Sequence, residues 1–320
     1  MQRQTRLLND GWRFIPEGDA PGAAPRCPRC GWMAVTLPHQ NVPLPANGFS
    51  ESRSHIVSWY FRPLPTPAGL GDGRVFLDFD GVMMVAEVYV NSRQAATHRG
   101  GYVGFSADVT PFLRRGDGAD NLIAVCVDAR LHDDIPPCGH VMDYQTFGGI
   151  YRDVHLRLVP ACHLEDLSVR TPQPLAARKT LTATATIRNT GAADWHGAAR
   201  LELCDLRNRR LATGPEVPCV VPAAGAAEVE LTLTGLAGLA LWELDAPQRY
   251  RARVVLLDGR RRLDALDAAF GFREATFTKE GPFVLNGRPL KLIGLNRHQT
   301  FPYIGGAAPA RLQRRDADIL

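Results

Sequence analysis

The chain has 320 residues, of which 45% are hydrophobic and 22% charged, and its net charge is +4 at pH 7. This composition is that of an ordinary globular protein, and the length suits two or three domains better than one. The basic residues are scattered without interleaved aromatics, and no run reaches about 18 apolar residues, so nucleic-acid binding and a membrane span are both disfavoured.

Seven cysteines are spread thinly along the chain. An odd and dispersed set favours reduced thiols over a disulfide framework. The opening residues, MQRQTRLLNDGWRF, include basic side chains but no apolar core of a secretory signal. We therefore expect a cytoplasmic protein.

Strand signals dominate the first zone, residues 1–160, and helix signals are nearly absent before residue 305. Apolar and polar residues alternate in RVFLDFDGV (74–82), MVAEVYVNSRQ (84–94), NLIAVCVDA (121–129) and YRDVHLRLV (151–159). Short alternating strands separated by Gly, Pro and Asp turns are typical of a β-sandwich or jelly roll.

The composition changes near Pro160, after which residues 161–274 are rich in Ala and Leu. Alternation returns in LTATATIRNTG (181–191), AARLELCDL (198–206), AEVELTL (227–233) and YRARVVLLDG (250–259). This spacing predicts a second sandwich of roughly 100 residues, immunoglobulin-like in size but without the Cys, Trp, Cys core of antibody domains.

The pattern changes again in residues 275–320. FVLNGRPLKLIGLN predicts a short hairpin that feeds a continuous apolar strand, and APARLQRRDADIL (308–320) predicts a helix with Pro309 in its first turn. A strand followed by a helix indicates the first βα unit of a parallel α/β domain. One such unit cannot bury its own strand, so we expect the chain to be a truncated piece of a longer protein.

Seven segments occur in the order seen in glycoside hydrolase family 2, and the chain most closely resembles the bacterial β-galactosidases of that family. The segments are WYFRPL (59–64), FDGV (79–82), VYVNSR (88–93), GGYVGFSADVT (100–110), FGGIYRDVHL (147–156), GFRE (271–274) and LNGRPLKLIGLNRHQTFPYIGGA (285–307). The resemblance implies a mainly β chain: a jelly-roll sugar-binding domain (1–160), an immunoglobulin-like β-sandwich (161–274) and the start of an incomplete (β/α)8 barrel (275–320).

The same resemblance implies a sugar site at the end of LKLIGL, which is similar to barrel strand 1. Barrel active sites lie where the strands emerge at their C-terminal ends. His298 matches the family histidine that hydrogen-bonds the sugar and stabilises the transition state. Asn296 and Arg297 are further candidates, with the alternative that they only tie the strand end to neighbouring loops.

Asp143 is the fourth candidate, because MDYQTFGGIYRDV resembles the family segment whose aspartate reaches into the barrel pocket. A carboxylate can accept hydrogen bonds from two hydroxyls of one sugar, although a loop aspartate can equally cap a turn. In GGIYRDV itself we expect a structural role: the glycines permit a bend, and Tyr151 and Arg152 pack at the interface to the next domains.

No catalytic residue is assigned within the chain. Retaining glycosidases need two carboxylic acids about 5 Å apart, and the family's two glutamates lie on later barrel strands, beyond residue 320. Glu274 and Glu280 have no matching motif. Cys27 and Cys30 form a CxxC, but with His39 as the only nearby partner the ligands are too few for structural zinc. No metal or other cofactor is identified within the chain, and a divalent or monovalent metal in the full-length enzyme stays an open alternative.

These observations predict the N-terminal part of a retaining exo-glycosidase that removes terminal β-D-galactosyl units from small oligosaccharides, with a homo-oligomeric full-length parent. The fragment alone should be inactive. The alternatives are a non-catalytic carbohydrate-binding module, or a family 2 β-glucuronidase or β-mannosidase.

Overall fold

The structure of the protein is a computed structural model that describes residues 2–16, 31–47, 50–114, 116–138, 144–279 and 281–320. These residues fall into two compact units. The first unit contains Gln4–Leu158 and Asn296–Leu320, and the second contains Val159–Leu295 with the residues that precede Gln4. Both units are built mainly from antiparallel β-sheets, which confirms the predicted mainly β fold class.

The first unit holds two sheets. Their strands are β1 Gln4–Leu7, β2 Trp12–Ile15, β3 Met33–Val35, β4 Val57–Pro65, β5 Arg74–Phe79, β6 Val85–Val90, β7 Arg93–Arg99, β8 Phe105–Asp108, β9 Asp120–Asp128 and β10 Val154–Val159. One sheet has the order β3-β2-β4-β9-β6-β7 and the other β1-β10-β5-β8. The four strands predicted in this zone are all present.

Alternation explains why these segments form strands, since successive side chains point to opposite faces of a sheet. In β5, Val75, Leu77 and Phe79 are buried and the residues between them are less so. Each fully buried large apolar side chain contributes about 1.5–3 kcal/mol to folding. The β6–β7 turn places Asn91 and Ser92 at φ values of 52° and 65°, the left-handed conformation that tight hairpins require.

The second unit is a seven-stranded sandwich followed by a small sheet. Its strands are β11 Cys162–Arg170, β12 Lys179–Asn189, β13 Trp195–Asp205, β14 Arg210–Val221, β15 Ala226–Leu236, β16 Tyr250–Asp258, β17 Arg261–Phe270, β18 Ala275–Phe277, β19 Phe283–Leu285 and β20 Arg288–Leu290. The sheets β11-β12-β15 and β14-β13-β16-β17 face each other across one apolar core, which includes Leu181, Leu203 and Leu256. This is the predicted immunoglobulin-like arrangement.

The β19–β20 hairpin turns at Asn286 and Gly287, both with positive φ, so the predicted short hairpin is confirmed. The predicted continuation of the strand beyond Leu290 is absent. Residues 291–300 have no regular secondary structure, and the side chain of Ile293 is 86% exposed. No strand in the described part of the chain pairs with this segment, and a parallel strand is stable only between neighbours.

The predicted C-terminal helix is present as α1, Ala310–Ile319, with Pro309 at its N-cap position. The preceding segment joins the first unit through an antiparallel bridge between Leu44 and Tyr303. No helix in the described ranges combines the length and apolar character needed to cross a bilayer.

Candidate functional site

The predicted site residues take different positions. Asn296, Arg297 and His298 lie in the irregular segment that precedes α1. Asp143 lies outside the described residues, as do Cys27 and Cys30, so the predictions made for these three stay predictions.

Arg297 is engaged by the helix that follows it. Its Nε lies 2.8 Å from Oδ2 of Asp316 on α1, and its Nη2 donates to the same oxygen. Asn296 is exposed, and its side chain makes no hydrogen bond to any described residue. In this structure Arg297 therefore holds the segment to the helix, while neither Arg297 nor Asn296 lines a cavity near His298.

His298 lines a cavity of about 260 Å³ in the first unit. Three segments form the wall: residues 83 and 102 beside the β6–β7 hairpin, residues 144–152 before β10, and residues 298–306 before α1. The volume is close to the lower end for small-ligand sites, about 300 Å³, which suits one small polar molecule or one sugar unit. The described residues of the wall include no carboxylate.

Aromatic rings form much of this wall. The ring of Tyr144 lies 6.1 Å from that of His298, measured between centroids, and Tyr144 and Tyr102 are 36% and 44% exposed. Burial, and then hydrogen bonding with Tyr144, raises the pKa of the Tyr102 phenol. Tyr102 is therefore neutral at physiological pH and offers both a donor and an acceptor.

Tyr151 is a buried residue of the cavity wall. Its hydroxyl donates to the backbone oxygen of Gly101 at 2.6 Å. A Cβ at Gly101 would lie 2.2 Å from Sδ of Met83, so a larger residue there would displace the Met83 side chain. Burial raises the pKa of Tyr151, and the Arg152 guanidinium lies 5.4 Å from its ring centroid.

The two glycines of GGIYRDV permit the predicted backbone bend and also a close approach of neighbouring residues. A Cβ at Gly148 would lie 2.1 Å from Nδ2 of Asn41, and Gly149 has φ of 107° and lies against His39 and Tyr60. Tyr151 belongs to one buried cluster with Ala307, a residue of the segment that precedes α1. The cluster packs the segment before β10, which carries Tyr151, against the segment before α1, and both segments contribute to the cavity wall.

Gln145 is a cavity residue that sequence reasoning missed. Its Oε1 and Nε2 are both buried, and neither atom hydrogen-bonds to a described residue. Most buried polar side-chain atoms in folded proteins have a partner. The only signal in the sequence was its place two residues after Asp143, and nothing in that pattern indicates burial.

One group of side chains in the described residues could supply several ligands to a cation. Ligand atoms of Asp80, Asp153 and His155 lie within 4.8 Å of one another. Asp153 already accepts a hydrogen bond from Asn9 at 2.8 Å, and Nδ1 of His155 lies 3.8 Å from Oδ1 of Asp80. These contacts explain the cluster through polar pairing alone.

Comparison with known proteins gives a consistent picture. Residues 31–160 match the sugar binding domain of glycosyl hydrolases family 2. The β-galactosidase of Thermoanaerobacter pseudethanolicus is 35% identical over 323 residues, covering 100% of this chain and 42% of that protein. The β-glucuronidase of Bacteroides fragilis is 28% identical over 99% of this chain and 44% of its own length.

A solved structure shows the same architecture. Bacteroides uniformis β-glucuronidase 2, covalently bound to cyclophellitol-6-carboxylate aziridine, superposes with a TM-score of 0.86 at 28% identity. The alignment covers 99% of this chain and 38% of that one. The chain thus spans about two fifths of the length of the relatives it matches.

Proposed function

Because the chain belongs to glycoside hydrolase family 2, we propose that it is the N-terminal part of a retaining exo-glycosidase that hydrolyses terminal β-D-galactosides. The observation that carries this proposal is the cavity whose wall includes His298 together with Tyr102 and Tyr144. Aromatic walls with a few polar groups are typical of sites for small polar ligands.

In this proposal His298 donates a hydrogen bond to a hydroxyl of the sugar unit. The bond strengthens as positive charge develops on the sugar ring, so it stabilises the transition state more than the bound substrate. Asp143 orients the same sugar unit by accepting hydrogen bonds from its hydroxyls. The chain's own residues thereby bind and position one terminal sugar.

We propose that the acid/base and nucleophile lie on a catalytic barrel outside this chain. The described cavity wall has no carboxylate, and the family relatives are more than twice as long as the chain. A pair of carboxylic acids about 5 Å apart would complete the retaining machinery. We propose a cytoplasmic, homo-oligomeric full-length enzyme.

We rank a galactoside as the first candidate substrate, because the β-galactosidase relative is 35% identical to the chain and the Bacteroides fragilis β-glucuronidase is 28% identical. One observation favours a glucuronide as the second candidate. The guanidinium of Arg152 lies at the cavity wall, and among the described residues no carboxylate pairs with it. A planar guanidinium binds a carboxylate with two parallel hydrogen bonds.

Chromogenic β-galactoside, β-glucuronide and β-mannoside distinguish these candidates. The full-length gene product should turn over the galactoside fastest. A preference for the glucuronide, lost on Arg152→Met, would reassign the substrate. A protein that binds oligosaccharide but hydrolyses none of the three would instead be a non-catalytic carbohydrate-binding module.

A further inference from the structure

The second unit carries a basic groove that plays no part in the proposed reaction. The groove has a volume of about 510 Å³ and lies on the sheet β14-β13-β16-β17. Along β16 its lining residues Arg253 and Val255 alternate with the core residue Val254, so the groove is on the face of the sheet that points away from the core. Five of its ten described lining residues are arginines: Arg200, Arg210, Arg253, Arg260 and Arg262.

The five arginines divide into a paired and an unpaired group. Three of them already have carboxylate partners, in the contacts Arg200–Glu216 at 2.9 Å, Arg210–Glu202 at 3.2 Å and Arg253–Asp267 at 2.7 Å. Arg260 and Arg262 are exposed, and among the described residues no carboxylate pairs with either of them. The groove therefore presents two free guanidinium groups to solvent.

The lining of the groove narrows the class of partner. A planar guanidinium binds a carboxylate through two parallel charge-assisted hydrogen bonds. The described lining has no aromatic ring on which a nucleic-acid base could stack. This chemistry favours a protein surface that carries two neighbouring carboxylates.

The loop before β16 has that chemistry and belongs to the same unit. It is the sequence Glu243-Leu244-Asp245, enclosed by the bridge between Trp242 and Pro247. Leu244 is 56% exposed, Asp245 is exposed and Glu243 is partly exposed. Among the described residues no basic side chain pairs with Glu243 or Asp245. The loop thus presents an exposed leucine between two unpaired carboxylates.

The loop and the free arginines lie toward opposite ends of one strand. The loop precedes Tyr250, the first residue of β16, whereas Arg260 and Arg262 follow Asp258, its last residue. A strand rises about 3.3 Å per residue, so this nine-residue strand separates them by roughly 25 Å. One copy therefore cannot place its own loop in its own groove, whereas two antiparallel copies related by a two-fold axis can exchange loops. Such an axis repeats the contact, so each dimer contains it twice.

We propose that the groove is a self-association surface, in which Arg260 and Arg262 of one copy bind the carboxylates of Glu243 and Asp245 of a second copy. Leu244 then lies against the methylene stems of the exposed arginines, which removes apolar surface from water. This inference rests on the homo-oligomer of the proposed function and assigns a surface to it. It does not depend on the substrate or on the catalytic residues.

The test is a charge exchange on the full-length protein, with the dissociation constant of the dimer measured by sedimentation equilibrium in low and in high salt. The first variant is Arg260→Glu/Arg262→Glu, and Arg260→Gln/Arg262→Gln replaces it if it fails to fold. The second variant adds Glu243→Arg/Asp245→Arg to the first. Arg53→Glu/Arg178→Glu is the matched control, because both arginines are exposed, lie outside the groove and change the net charge by the same amount.

The wild type should form a dimer whose dissociation constant rises in high salt, since exposed ion pairs are screened. Arg260→Glu/Arg262→Glu should raise the dissociation constant about tenfold or more, because like charges then face each other at both copies of the contact. The second variant, with the charges exchanged, should return to within about threefold of the wild type, and the control should not differ from it. Circular dichroism of each variant should match the wild type, because every changed side chain is at least partly exposed.

Two results would overturn this surface alone. One is a wild-type dimer whose dissociation constant rises no more in Arg260→Glu/Arg262→Glu than in the control. The other is a loss of the dimer that the exchanged charges do not restore, which would mean that the groove binds something other than this loop. A wild type that stays monomeric would refute the proposed homo-oligomer together with the surface. A dimer that behaves as expected but hydrolyses no glycoside would refute the proposed activity and support the surface.

Discussion

His39 makes the stability of the first unit depend on pH. Its imidazole is mostly buried, with Nδ1 2.9 Å from the hydroxyl of buried Tyr60 and its ring 4.7 Å from that of Phe14. Burial lowers the pKa of His39 from 6.5 to about 4. The folded protein therefore keeps this histidine neutral at pH values where the unfolded chain protonates it.

The sign and size of the effect follow from these two pKa values. As pH falls below 6.5, the unfolded state binds a proton at His39 that the folded state does not bind. The free energy of unfolding therefore decreases progressively until about pH 4. At 1.36 kcal/mol for each pKa unit the full loss is about 3 kcal/mol, of which about 2 kcal/mol falls between pH 7 and pH 4.5.

The assay is urea denaturation at pH 7 and pH 4.5, followed by tryptophan fluorescence, because Trp12 and Trp59 are buried in the same unit as His39. His39→Gln should reduce the loss of unfolding free energy between the two pH values by about 2 kcal/mol. His196→Gln, at an exposed position, is the control and should keep the wild-type difference. Equal pH dependence in the wild type and His39→Gln would refute the reasoning.

Three further predictions concern activity and association. The purified chain 1–320 should show no turnover of a chromogenic β-galactoside; turnover abolished by changing an acidic residue within it would contradict the proposed division of labour. In the full-length enzyme His298→Ala should lower kcat/KM by about 10²-fold with kcat falling too, whereas Asp143→Ala should mainly raise KM; unchanged kinetics of His298→Ala would place it outside the site. Ile293 and Leu295 are 86% and 79% exposed, so changing both to Ser should reduce self-association of the chain in sedimentation velocity, and an unchanged distribution would show that this segment is not responsible.

The fate of LKLIGL shows where sequence patterns stop being informative. Its apolar run predicts a buried strand, yet Leu292 is 61% exposed and residues 291–300 have no regular secondary structure. The apolar run shows which side chains the segment could bury, but their burial requires neighbouring strands and helices. Those neighbours are set by tertiary structure and not by local pattern.

The candidate site shows the same division. The pattern and resemblance placed His298 in a sugar site, and the structure puts it in a cavity wall, while Arg297 pairs with Asp316 on α1. The imidazole of His39 lies against the ring of Phe14, which is its neighbour only in the fold and not in the sequence. Each of these outcomes depends on a contact across many residues of sequence.

What the sequence determined by itself is local: alternation with a period of two marked the strands of both sandwiches, and Asn286-Gly287 marked a tight hairpin, because one buried face and one left-handed turn leave direct traces in residue type. Only the tertiary structure decided which polar side chains are buried and which segments form one cavity. Gln145 looks like any loop glutamine in the sequence. Only the fold brings the segments around residues 102, 145 and 298 to one cavity and shields the Gln145 amide from solvent.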